Sequence, residues 1–65
     1  MTVAKALKVA KVILKQYDMT IIHNEYDEYV VNMRGGKEAT AYYTNDIGDA
    51  VATGVLMAAH RSTAR

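Results

Sequence analysis

The fold class this 65-residue sequence predicts is α+β, a two-layer sandwich in the order α-β-β-β-α, with a three-stranded antiparallel meander and both helices packed on one face. Three observations predict it. Residues 2–17 repeat apolar side chains at a helical period, residues 19–44 change to β-branched and alternating runs, and residues 44–59 return to a helical period behind a polar start. Without proline, internal repeat or low-complexity stretch, residues 1–65 read as a single domain.

The first helix is built from good helix formers. At about 100° per residue, Val3, Ala6, Leu7, Val9, Ala10, Ile13, Leu14 and Tyr17 fall on one arc, and Lys5, Lys8, Lys11 and Lys15 on the other, interrupted by Val12. Thr2 is a suitable N-cap, and Lys15 suits the C-terminal end of the helix dipole. Met19–Glu25 (MTIIHNE) is short and β-branched at its middle and reads as the first strand. NEYDE supplies an acidic connection to a second strand over Glu28–Met33, and Glu38–Thr44 reads as the third. Placing Tyr29, Val31 and Met33 on the same face as Ala39, Ala41 and Tyr43 requires a loop of odd length. The expectation is a three-residue turn, Arg34-Gly35-Gly36, with Gly36 left-handed and with Met33 opposite Lys37, Val31 opposite Ala39 and Tyr29 opposite Ala41. The opposite face then shows Glu28, Val30, Asn32, Glu38, Thr40 and Tyr42.

The last helix opens at TNDIGDA, with Thr44 or Asn45 as N-cap and Asp46 and Asp49 in the first turn. Its inner stripe is Ile47, Ala50, Val51, Gly54, Val55, Met57 and Ala58, and within it Ala50, Gly54 and Ala58 form a ridge of small residues that admits a close neighbour. Leu56, Ala52 and Ala59 fall outside, and HRSTAR reads as a fraying tail.

Composition narrows the function classes. A chain this short buries about 60% of the surface its unfolded form exposes, and one core of this size rarely supplies more than ~3–5 kcal/mol. With no cysteine there is neither a disulfide nor a thiolate metal site, so stability must come from helix packing or self-association. The lack of cysteine also fits a cytoplasmic location. No apolar run reaches the length of a membrane span, and the basic N-terminal segment lacks a secretory h-region. The net charge of +1 conceals an uneven distribution: the segment 1–17 holds four lysines and no acid, 18–44 nets −3, and 45–65 nets zero.

The residues point away from catalysis. His23 and His60 stand alone, with no second ligand at a metal-binding spacing, so neither a metal nor another cofactor is expected. Glu25, Asp27 and Glu28 form a solvated acidic loop, not two carboxyls in the contrasting environments that acid and base catalysis needs. No serine or threonine has a histidine-centred base arrangement. Gly35-Gly36 joins two strands, whereas a phosphate loop joins a strand to a helix N-terminus, so turn chemistry explains both glycines.

The order of elements resembles that of double-stranded RNA-binding domains across the whole chain. That family grips phosphates from the first turn of its second helix and places the loop between its first two strands in the minor groove. Those positions here read NDIGDA and NEYDE, so the resemblance implies the fold and not the RNA site. GGKEATAYYTNDIGDAVATG, a hairpin running into a capped helix, is similar to very small phage and prophage accessory proteins. This implies a protein that occupies a partner's surface, such as an inhibitor of a host defence complex of the anti-CRISPR kind.

A non-catalytic protein-binding module is therefore the expected function, with Tyr26, Asp27, Glu28, Val30, Asn32, Arg34, Lys37, Thr40 and Tyr42 as the candidate contact surface. Tyr42, Tyr26 and Arg34 rank first, because aromatic and arginine side chains dominate interface energetics. The alternative is nucleic-acid binding through Lys5, Lys8, Lys11 and Lys15, joined by Arg34 and Lys37. A homodimer through Ala52, Leu56 and Ala59, or through an edge of the meander, is a third arrangement.

Overall fold

The structure, a computed structural model, describes residues 2–63. Its elements are α1 (Val3–Lys15), β1 (Met19–His23), β2 (Tyr29–Met33), a single 3₁₀ turn (Glu38–Thr40), β3 (Tyr42–Thr44) and α2 (Ile47–Thr63). The strands form an antiparallel meander in the order β1-β2-β3, so β2 is central and β1 and β3 are edges. Both helices pack against the same face of this sheet, as the sequence predicts.

The core is small and defined by a few side chains. Leu14 of α1 and Val31 of β2 are fully buried, joined by Ala10, Met19, Ile21, Tyr29, Ala50 and Ala58. The ridge Ala50, Gly54 and Ala58 faces inward as expected. A Cβ on Gly54 would lie 2.7 Å from Leu14 Cδ2 and 3.0 Å from Val31 Cγ1. The missing side chain at 54 is therefore what lets α2 settle onto α1 and β2 together.

Local signals at the helix ends account for the boundaries. Thr2 caps α1, its Oγ1 accepting from the Lys5 amide. Asp18, with φ of 60°, turns the chain from α1 into β1 in the left-handed region, which aspartate tolerates better than most residues. Asp46, not Thr44 or Asn45, is the N-cap of α2: its Oδ1 accepts from the amides of Gly48 and Asp49, while Thr44 Oγ1 accepts from the Asp46 amide. The segment read as a fraying tail is helical through Thr63, and Ala64 and Arg65 lie outside the described residues.

The second hairpin differs from the expectation. Tyr29 pairs with Thr44, Val30 with Tyr43 and Val31 with Tyr42, a register three residues from the predicted one. An odd shift exchanges the faces, so Tyr42 lies on the helix-covered side and Tyr43 on the open side. Glu38–Thr40 leaves the strand for a 3₁₀ turn, and residues 34–41 form a longer connection than a three-residue loop. Gly35, not Gly36, is left-handed, with φ of 74°, in the turn closed by the Gly36 amide on the Met33 carbonyl. Gly36 is needed for space, since a Cβ there would meet Asn32 Oδ1 at 2.5 Å. The three-residue hairpin loop does occur, at the first connection. Glu25-Tyr26-Asp27 is closed by the Asn24 amide on the Glu28 carbonyl, and Asp27, φ 61°, takes the left-handed position.

Candidate protein-binding surface

The open face of the sheet carries Thr20 and Ile22 from β1, Val30 and Asn32 from β2, and Tyr43 from β3. Register places Ile22 opposite Val30 and Val30 opposite Tyr43, so the three make one apolar row across the sheet. Ile22 is 55% and Tyr43 44% exposed, on the face opposite the two helices. This row crosses the end of the sheet nearest the first hairpin, whose tip holds Tyr26 at 74% exposure.

Tyr26 is displayed by a turn that is hydrogen-bonded throughout. Asn24 Oδ1 accepts from the amides of Tyr26 and Glu28, its Nδ2 donates to Glu28 Oε1, and the Asp27 amide donates to the Asn24 carbonyl. Asp27 Oδ1 lies 2.8 Å from His23 Nε2, and the His23 ring stacks on Tyr29 with centroids 4.5 Å apart. Two of the three loop carboxylates, Asp27 and Glu28, thus serve the turn itself. The consequence for binding is a pre-ordered aromatic tip, which loses little conformational freedom on contact.

Several candidate contact residues are used internally. Asn32 lies on the open face, but its Nδ2 donates to the Lys37 carbonyl and its Oδ1 accepts from Thr40 Oγ1 and from the Met33 amide. Thr40 is not on the sheet face; it belongs to the 3₁₀ turn and locks it onto Asn32. Arg34 does not project from a hairpin tip. Its Nε donates to Asp18 Oδ1 at 2.8 Å, and its amide bonds the Asp18 carbonyl, so it fastens the start of β1 to the end of β2. The pair is exposed and contributes about 0–1 kcal/mol. Lys37 is an exposed cation beside this connection.

Tyr42 is a correction of position and role. Half-buried on the helix side, it donates its hydroxyl to Asp49 Oδ2 at 2.6 Å and so ties β3 to the first turn of α2. The Tyr42 hydrogen bond holds the Asp49 carboxyl below its ordinary range, and the same bond pushes the Tyr42 hydroxyl above its own. A depressed carboxyl adds stability that is present above the unfolded value, about 4, and is lost as pH falls through the lower folded value. A raised phenol adds stability present below about 10 and lost as pH rises through the higher folded value. Tyr42→Phe should therefore lower the urea midpoint at neutral pH, with the gap from the native chain closing toward both extremes. A gap constant from acid to alkali would show that the bond has no such role.

Lys5, Lys8, Lys11 and Lys15 are exposed along α1, and among the described residues none of them forms an ion pair. Val3, Val9, Val12 and Tyr17 are also largely exposed, so the buried stripe of α1 is narrower than the predicted arc and centres on Ala10 and Leu14. Leu56, Ala52 and Ala59 face outward on α2 as expected. No helix among the described residues is long and apolar enough to cross a membrane.

Sequence reasoning missed Ile22 and Tyr43. Consecutive isoleucines at 21 and 22 were the available signal for the first, since in a two-layer sandwich adjacent strand residues face opposite sides and one of the pair must point outward. For Tyr43 the signal was absent, because tyrosine occupies both 42 and 43. Protein-family models, curated proteins and solved structures give no match to this chain.

Proposed function

We propose that this chain is a small non-catalytic protein-binding module whose contact surface is the open sheet face, centred on Ile22, Val30 and Tyr43, with Tyr26 as a rigid aromatic anchor beside it. The observation that carries the reading is the apolar row on an uncovered face: a two-layer domain gains nothing from such a row unless something covers it. Tyrosines at its end and at the adjacent tip are the residue type that most often dominates an interface. Occlusion of a partner's surface, in the manner of an inhibitor of a host defence complex, requires nothing more than such a face.

The test is paired affinity capture. A partner retained by the native chain should be lost from Ile22→Ser/Tyr43→Ser and weakened at least about tenfold by Tyr26→Ala, a size typical of a central aromatic contact. Retention by both variants would overturn the assignment. The second reading, nucleic-acid binding by α1, is favoured by the four lysines, exposed and in no ion pair among the described residues. It requires DNA or RNA to be shifted at low salt and released steeply as salt rises. A homodimer through the Leu56 patch requires a mass that doubles with concentration in light scattering.

A further inference from the structure

The outer surface of the helix layer carries apolar side chains that neither the core nor the sheet-face contact uses. Val12 stands two residues from each of the buried Ala10 and Leu14, about 200° around α1 from both, so it points away from the core. Leu56 stands in the same relation to the buried Gly54 and Ala58 on α2. Both helices cover one face of the sheet, so these two side chains emerge on the side of the molecule opposite the Ile22, Val30 and Tyr43 row. Val12 is 58% and Leu56 68% exposed, and Val9, one turn before Val12, is 49% exposed. The neighbours of Val12 one turn away include Lys8 and Lys15, with Lys5 and Lys11 beside them, all exposed and in no ion pair among the described residues. Residues 2–17 contain no acid. Valine is a poorer helix former than alanine or lysine, so helix stability does not account for it at the centre of a solvated face.

We propose that this outer surface docks reversibly on an anionic phospholipid bilayer, with α1 lying in the plane of the headgroups. The four lysines meet the lipid phosphates and carboxylates, while their aliphatic stems rest with Val9, Val12 and Leu56 at the headgroup boundary. Charge complementarity calls for an anionic partner, and the apolar side chains select a bilayer from among the polyanions. A nucleic-acid backbone offers nothing apolar to Val12 or Leu56, and between Lys5 and Lys15 there is neither an arginine nor an aromatic ring on which a base could stack. Contact with lipid is shallow, because Ala10 and Leu14 remain in the core, so attachment depends on the lysines and is lost as salt rises. The open sheet face points the other way, and the inference stands or falls independently of what binds there.

The test is sedimentation of the full chain with vesicles of phosphatidylcholine alone and of phosphatidylcholine mixed with phosphatidylserine, at low and at high salt. The chain should sediment with the mixed vesicles at low salt and stay in solution with phosphatidylcholine alone or at high salt. Lys8→Gln/Lys11→Gln should weaken binding to the mixed vesicles by about fivefold for each lysine removed. Val12→Ser should weaken it about threefold to tenfold. That variant should keep the native melting temperature within a few degrees, because Val12 is exposed and serine and valine are close in helix propensity. Oligothymidylate serves as the competing polyanion and should displace little of the chain from the mixed vesicles. Failure to sediment with the mixed vesicles at low salt, equal sedimentation with both lipids, unchanged affinity of Val12→Ser, or tighter binding of oligothymidylate than of the mixed vesicles would each overturn the proposal.

Discussion

Leu14→Ala is expected to leave the chain largely unfolded at room temperature. Leu14 is fully buried in the core and lies against the ridge of α2 at Gly54, so its truncation opens a cavity there. Buried leucine truncations cost about 2–5 kcal/mol. A domain of this size rarely has more than ~3–5 kcal/mol to lose. A drop of ~4–8 °C in melting temperature per kcal/mol makes the loss visible by circular dichroism even if some cooperativity survives. Leu14→Met, which keeps the volume, should cost less than about 1.5 kcal/mol and serves as the control. A melting temperature for Leu14→Ala within a few degrees of the native value would show that the core is not organised around this residue.

What could be read from the chain, and what could not, divides along the distance between interacting residues. Thr2, the lysine arc and the small-residue ridge are local patterns, each decided within one or two helical turns, and they place both helices. The register of β3 is not local. Tyr42, Tyr43 and Thr44 offer a β-favouring residue to either face, and Ala39 and Ala41 are too small for their alternation to impose one. The choice is made by Tyr42 reaching Asp49 in α2 and by Asn32 and Thr40 locking the connection, contacts that periodicity does not encode. The candidate surface inherits this limit. Val30 and Tyr26 were legible from alternation and loop position, but Tyr42 and Tyr43 exchanged roles with the register, and Arg34 was claimed by Asp18, sixteen residues away. The paired glycines drew attention to the wrong hairpin, because Asp27 fills the left-handed site of the three-residue loop where glycine is the usual occupant.

Gly54 offers the sharpest test of the packing, because general helix propensity and this particular site predict opposite signs. In an exposed helix interior, glycine to alanine stabilises by about 0.8–1.0 kcal/mol. At position 54 the new methyl would lie 2.7 Å from Leu14 Cδ2 and 3.0 Å from Val31 Cγ1, and both of those side chains are fully buried and cannot swing into solvent. Overpacking of this kind costs about 1–3 kcal/mol. Gly54→Ala should therefore be neutral to destabilising, and Gly54→Val, with two further methyl groups in the same space, should abolish the cooperative transition. The cause can be isolated in a second background. Leu14→Val removes both δ-methyls, including the one that a Cβ at 54 would strike, while the Val31 Cγ1 contact at 3.0 Å remains, so Gly54→Ala should be less unfavourable there than in the native chain. The coupling between the two positions should fall in the range of about 0.5–3 kcal/mol found for residues in contact. If alanine at 54 had the same effect in both backgrounds, the close approach of α2 to α1 would not depend on the missing side chain, and the ridge of Ala50, Gly54 and Ala58 would have to be explained by helix composition alone.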